Sequence, residues 1–307
     1  MTTLVGSDLD AAEPDAEQPR TAPRPGSTRK PGEKRFGVGR IAAFAVLALL
    51  ALGWLLPFLW AVDTAFKHET DAAAAPTWIP AGGFTVDAFT AILSQGNVYT
   101  WAFNSLISSI AITLITLVIT SLAAYAFSRL DFRGRRWMYV VVIAAIIVPP
   151  QVLIIPLYYE MLTFRMVDTY WGLILPQVVV PAMVFILKSF FDNVPIELEE
   201  AARMDGANRL RVFWSIVLPL SRPILASVAI FVFIAAWNNF LWPFLVINDT
   251  SLMTLPVGLQ TVISAYGVQY AAVMAQAVLA ALPLIVVFLI FQRQVIKGVA
   301  TSGFGGQ

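Results

Sequence analysis

The sequence predicts an all-α integral membrane protein with six transmembrane helices, and three observations carry that prediction. The chain of 307 residues is 58% hydrophobic and 13% charged, about half the charge of a soluble domain, in which roughly 25% of residues are charged. Its charge-free apolar runs recur at about the spanning length of roughly 20 residues, a helical rhythm rather than the alternation of an outer-membrane barrel. Its Lys and Arg residues gather in alternate short loops, as the positive-inside rule requires of a multi-pass protein.

Residues 1–36 are rich in Pro, Glu, Asp, Arg and Ala, with almost no large apolar side chains. Such a segment cannot bury enough surface to fold alone, and it reads as a disordered cytoplasmic tail. The apolar run over 41–62 is too long for the core of a signal peptide and is followed by no small-residue cleavage site, so it reads as a retained first helix. The longest segment outside the membrane extends from Asp63 to about Tyr99, and within it FTVDAFTAIL reads as a short amphipathic helix at the interface.

The five further spans are expected at about 102–127, 137–159, 170–187, 224–246 and 270–291. Pro149, Pro150 and Pro156 fall in the third span, Pro176 and Pro181 in the fourth, and Pro283 interrupts the sixth. Breaks of this kind persist in a bilayer only where neighbouring helices or water satisfy the freed carbonyls, so these helices pack inside a bundle or line a cavity. Arg129, Arg133, Arg135 and Arg136 lie between spans two and three; Arg203, Arg209, Arg211 and Arg222 lie between four and five; Arg293 and Lys297 follow six. All fall on the side of the basic residues Arg29, Lys30, Lys34 and Arg35, which places both termini in the cytoplasm. Trp78, Trp101, Trp137, Trp171 and Trp242 sit near span ends, as an interfacial aromatic belt would place them.

Several chemistries are disfavoured. The span centres hold no Asp, Glu, Lys, Arg or His, the residues on which proton- and ion-coupled pumps rely. There is no G-x-x-x-x-G-K-[ST] and no lysine follows a glycine, so the chain has no P-loop for ATP. With no Cys and the single His68, it lacks disulfides, the usual soft metal sites and most catalytic nucleophiles; no catalytic residue and no metal ligand is assigned. A net charge of +1 calls for no nucleic acid partner.

The densest charge in the chain lies within PIELEEAARMDGANRLRVFWSIVLPLSRP, which begins at Pro195. Pro195 suits a first helical position, Asn193 a cap, and Glu197, Glu199 and Glu200 the positive end of the helix dipole. Glu199 and Arg203 are spaced to pair on the surface, and Gly206 ends the helix in a left-handed cap. The result is a short cytoplasmic helix over about 195–205, on which Ala201 and Ala202 leave a nearly flat face beside Glu200. So short a helix is marginal alone. It reads either as a solvated connector or as a docking element for another protein.

Glu200, Ala201, Ala202, Gly206, Ile216, Leu218 and Pro219 resemble the E-A-A-x3-G-x9-I-x-L-P loop of ABC importer permeases at every defined position. The resemblance runs from about residue 40 to the C-terminus and is closest to the carbohydrate-type branch, the maltose-type and glycerol-phosphate-type inner-membrane permeases. NSLISS from Asn104, AAYAFSRLDFRGRR from Ala123, AAWNNFLWPFLV from Ala235 and FQRQVIKGVATSG from Phe291 support it, while Arg133 stands where many relatives carry proline.

The resemblance implies an ABC importer permease fold with a coupling helix, in the bacterial inner membrane. It implies as partners a second, distinct permease, two ATP-binding subunits and an extracytoplasmic solute-binding protein. The chain itself binds no cofactor and catalyses nothing; ATP and Mg2+ belong to the ATP-binding subunits. Glu200, Ala201, Ala202, Asp205, Gly206, Ile216, Leu218 and Pro219 take the coupling role. Glu200 makes a charge contact, Ala201 and Ala202 the close fit and Gly206 the turn, so that closure on ATP reaches the spans on either side.

Trp237, Asn238, Asn239 and Trp242 are candidates for the substrate pathway. Amides can bond sugar hydroxyls and indoles can stack on sugar faces. The plainer reading of the same residues, polar glue between helices, outweighs the pathway reading. Gln151, Gln177 and Gln276 are weaker candidates, equally suited to satisfying a broken backbone. A membrane assembly or signalling protein using the same helix to recruit a partner is the rival function, and a stand-alone secondary carrier ranks third.

Overall fold

The computed structural model describes residues 38–74, 76–94, 97–261 and 269–303; the proposed tail over 1–36 lies outside them. The chain divides into two units, Met1–Leu52 and Gly53–Gln307. Of the first, the described part is the start of α1 (Val38–Ala65), a helix with Pro57 in its interior. The second carries the remaining elements.

After α1 the chain forms α2 (Glu69–Ala72) and α3 (Asp87–Ser94). Lys67, buried, pairs with Asp63 at 2.5 Å and lies 4.8 Å from the centre of the Trp60 ring. An antiparallel bridge joins Lys67 to Phe84. The expected amphipathic helix is α3, and it packs against the last helix of the chain. Glu69 reaches that helix too, accepting the amides of Tyr270 at 2.5 Å and Ala271 at 3.0 Å. A carboxylate at a helix start satisfies orphan N–H groups and meets the positive end of the dipole.

The long helix α4 (Val98–Arg129) organises the rest. Its buried face repeats small polar residues, Ser105, Ser109, Thr113, Thr116 and Thr120, at three- and four-residue spacing. In lipid there is little hydrophobic drive between helices, so small residues that allow close approach define the contact face. Thr113 and Thr120 return their hydroxyls to the carbonyls one turn back, at 2.7 and 2.6 Å. On this face α4 meets α8 (Pro181–Asp192) and α12 (Arg222–Trp237). Towards the start of α4, Asn104 ties three segments together. Its amide donates to the carbonyls of Ser251 and Met253 at 2.8 and 2.9 Å, and its oxygen accepts the Tyr170 hydroxyl at 2.6 Å.

Three helices, Ala42–Ala65, Val98–Arg129 and Tyr270–Gln292, are long and apolar enough to cross a membrane, and three bent pairs bring the number to six if each pair is one span. The first pair, α5 (Arg135–Ile147) and α6 (Pro150–Thr163), turns by 104°. A residue before proline is driven to extended backbone, and Val148 and Pro149 both adopt it, so two consecutive prolines force the corner. The second pair joins α7 (Tyr170–Ile174) and a 3-10 turn over Leu175–Gln177 to α8 with a bend of 49°.

The carbonyls freed at this second break are taken up. Pro176 has no N–H for Gly172, and the Trp242 indole donates to that carbonyl at 3.1 Å. The Gln177 amide donates to Leu173 at 2.7 Å and the Thr116 hydroxyl to Val178 at 3.1 Å.

After α9 (Ile196–Met204), the third pair runs through α10 (Arg209–Val212), a π-turn and α11 (Leu218–Leu220) before bending by 79° into α12. Then come α13 (Leu241–Val246), α14 (Leu255–Thr261) and α15 (Tyr270–Gly303).

Two expectations are corrected. The fifth span, expected over 224–246, ends at Trp237, and α13 is a separate element. Between them the Asn239 side-chain oxygen accepts the Trp242 amide at 3.4 Å, the local competition with the helix ladder that asparagine offers. Pro283 does not interrupt the sixth span, since α15 continues through it. A single interior proline removes one hydrogen bond, and the Trp237 indole supports the neighbouring turn by donating to Ala280 at 3.2 Å.

Outside the spans, the loop between α6 and α7 carries Arg165 and Asp168 at φ 54 and 58. Burial works against the Asp168 charge, but the amides of Asn248 and Asp249 and the Asn248 side chain outweigh it and hold its pKa below the usual aspartate value. A depressed carboxyl pKa gives stability present above the unfolded value of about 3.9 and lost as pH falls through the lower folded value. The Asp249 amide is therefore expected to stay protected from exchange at the usual aspartate pKa and to lose that protection only as pH falls further, and Asp168→Asn to remove that pH dependence.

Candidate functional site

The segment expected to couple starts from the end of α8. Pro195 is the N-cap of α9 and not its first helical residue, and Asn193 does not cap it; its amide donates back to Ser189 at 2.7 Å. The expected surface pair between Glu199 and Arg203 is replaced by a buried one. Glu199 turns inward, and its Oε1 lies 2.8 Å from the Nε of Arg129 at the end of α4, with both side chains about nine-tenths covered. The Arg129 Nη2 donates to the carbonyls of Phe191, at 2.6 Å, and Val194. Removing one partner of a buried pair costs about 3–5 kcal/mol.

The helix ends as its glycine requires. Gly206 has φ 84, its amide donates to Arg203 at 3.0 Å, and the Ala207 amide donates to Ala202 at 3.0 Å. Those two bonds are a Schellman cap.

The eight expected coupling residues divide by exposure. Glu200, Ala201, Asp205 and Gly206 are exposed, whereas Ala202, Ile216 and Leu218 are half-buried against the core built around Phe191, Phe213 and Val217, and Pro219 is half-buried beside them. The flat face is thus Ala201 alone. Met204, 89% exposed, lies one turn beyond Glu200 and completes an outward strip with Glu197, Glu200 and Ala201. Sequence reasoning missed Met204, although an apolar residue in register with a charged face was the signal.

A cleft of about 430 Å³ opens beside the breaks of the first two bent pairs. Gln151, Gln177, Asn239 and Trp242 supply its polar and indole groups, and no charged residue lines it among the described residues. The Asn239 amide donates to the Gln177 side chain at 2.6 Å, so these two amides meet across the wall. Trp237 and Asn238 lie elsewhere. Trp237 is buried in the core around Trp101 and Val246, and Asn238 is exposed with its amide turned to Ile234 of its own helix at 3.0 Å. Gln276 is buried without lining the cleft.

Residues 117–301 match the family described as "Binding-protein-dependent transport system inner membrane component". The chain belongs to that family. Individual relatives align with it over nearly their whole length. The arabinooligosaccharides transport system permease protein of Halalkalibacterium halodurans is 34% identical, over 86% of this chain and 94% of that one. The trehalose/maltose transport system permease protein of Thermococcus litoralis is 33% identical, over 87% of this chain and 98% of that one. A chain in the crystal structure of a bacterial ABC transporter involved in the import of the acidic polysaccharide alginate superposes with a TM-score of 0.74 at 21% identity, covering 85% of this chain and 98% of that one, a likeness of fold. The resemblance drawn from the E-A-A loop is borne out, as are the membrane helices of a multi-pass inner-membrane protein.

Proposed function

We propose that this chain is the transmembrane permease subunit of an ATP-driven importer for a carbohydrate or related polyol. The observation that carries the reading is its match, over nearly their whole length, to relatives named as permeases for arabinooligosaccharides and for trehalose and maltose. The exposed strip Glu197, Glu200, Ala201 and Met204 supports it, because a short helix presenting charge beside a small residue fits a partner's cleft and gains stability by docking. The uncharged cleft supports a neutral, hydroxyl-rich cargo: amides can both donate to and accept from hydroxyls, and the Trp242 ring offers an apolar face.

In this reading the chain catalyses no reaction. It pairs with a second, distinct permease, docks α9 on an ATP-binding subunit that holds ATP and Mg2+, and receives solute from an extracytoplasmic binding protein. The distribution of arginines supports a cytoplasmic side for both termini and for α9. ATP binding and hydrolysis in the partners drive alternating access.

Purifying the tagged chain from its native membrane and identifying the stoichiometric partners tests this. An ATP-binding subunit, a second permease and a solute-binding protein are expected; recovery without any ATP-binding subunit, from a preparation that keeps other complexes whole, would favour a recruiting or assembly role. Within the cleft, Asn239→Ala is expected to weaken apparent substrate affinity roughly 5–10-fold, the worth of about one hydrogen bond, and Asn238→Ala to leave it nearly unchanged. Equal effects would remove the cleft from the pathway.

A further inference from the structure

The coupling helix is joined to its own neighbours in the chain by two turns, Asn193 to Pro195 before it and Gly206 to Asn208 after it. Its buried ion pair goes elsewhere, to α4. Glu199 alone among the acidic residues of α9 is buried, and it faces Arg129. The same guanidinium donates to the carbonyls of Phe191, in the last turn of α8 where the helix dipole favours a cation, and of Val194 in the turn that follows. Beside it the Ser128 hydroxyl donates to Asp192 at 2.7 Å. One turn back on the same face of α4, the Tyr125 hydroxyl reaches the Arg209 carbonyl at 3.4 Å and its ring lies 5.0 Å from that of Phe213. The last two turns of α4 therefore hold the chain before, within and after the coupling helix.

We propose that the Arg129–Glu199 pair makes α4 the receiver of the coupling helix's movement. The inference rests on the transporter reading above. A buried charge pair with further hydrogen bonds resists separation, whereas the two flanking turns can bend, so a push on α9 moves the end of α4 with it. α4 then carries the movement inward. Its Ile112 lines the cleft, and its Thr116 holds the Val178 carbonyl at the bend of the second helix pair. Arg129 and Glu199 are positioning residues; both are turned away from the strip that docks.

The test uses the whole transporter, purified with its partners and reconstituted in liposomes. Glu199→Gln keeps the shape of the side chain and removes its charge. It is expected to leave the complex assembled and hydrolysing ATP, with solute taken up per ATP hydrolysed falling roughly tenfold, within the usual range of coupling between sites. Glu199→Asp is expected to recover part of the loss. An assembled Glu199→Gln complex with unchanged uptake per ATP overturns the proposal.

A second measurement stands if that variant fails to assemble. The chain contains no cysteine, so spin labels can be placed through Leu198→Cys on α9, beside the docking strip, and Leu122→Cys on α4, both exposed positions. The distance between them is expected to be the same with and without bound ATP, because α9 and the end of α4 move as one. A distance that changes with ATP overturns the proposal. If the unmutated chain purifies with no ATP-binding subunit, the transporter reading itself fails; if the partner is present and only these tests fail, that reading stands and the α4 link does not.

Discussion

Glu200→Lys is expected to abolish solute-stimulated ATP hydrolysis by the assembled transporter while leaving the chain inserted at its normal level in the membrane. Glu200 is exposed near the middle of α9 and forms no ion pair within the described residues. Surface replacements of that kind change stability by only about 0.5 kcal/mol. At a docked interface the same change puts a cation where an anion was accommodated, and losing one partner of a buried interfacial charge contact costs about 2–5 kcal/mol. That difference in magnitude separates the two readouts. Abundance and detergent-resistant folding report on the chain, and ATP hydrolysis in response to solute-loaded binding protein reports on docking. A Glu200→Lys complex that still responds to solute would remove Glu200 from the coupling surface.

Gly172→Ala is expected to be the most damaging single-methyl change near the cleft. A Cβ on Gly172 would lie 2.1 Å from the carbonyl oxygen of Met166, a backbone atom that cannot swing aside as a side chain does. That carbonyl also accepts the Thr169 hydroxyl at 2.6 Å, and the loop holding it carries the left-handed residues Arg165 and Asp168. Moving it breaks the attachment of Asp168 to Asn248 and Asp249, and it shifts the Gly172 carbonyl away from the Trp242 indole. Forcing an extra carbon into a closed space costs about 1–3 kcal/mol where neighbours can yield and more where they cannot. Thermal unfolding of the detergent-purified chain should show a clear fall in midpoint, and an unchanged midpoint would mean that the loop yields freely.

What was legible in the sequence was local. The run of prolines at 149 and 150 announces the corner between α5 and α6 because each forces the residue before it to extend. Gly206 announces the end of α9 because its left-handed backbone suits a residue without Cβ. Pro283 was misread because a helix can absorb one proline when a neighbour supports the adjoining turn, and that neighbour, Trp237, comes from another span.

The partners of Glu199 and Trp242 were hidden for the same reason. Spacing along a helix offers Arg203 to Glu199, and nothing in spacing reveals that Arg129 arrives from the end of α4. The adjacent Trp237, Asn238, Asn239 and Trp242 suggested one polar cluster, yet the ending of α12 at Trp237 turns them in different directions. Only Asn239 and Trp242 line the cleft.

As proposed, this chain moves a neutral carbohydrate across the membrane at the expense of ATP hydrolysed by partner subunits. The most direct test reconstitutes the purified complex in liposomes with its binding protein outside and measures uptake of a panel of neutral oligosaccharides. Uptake is expected with ATP and Mg2+ inside, and none with a non-hydrolysable analogue or with Glu200→Lys. Uptake that continues at full rate without ATP would overturn the importer function and make the chain a carrier that works alone.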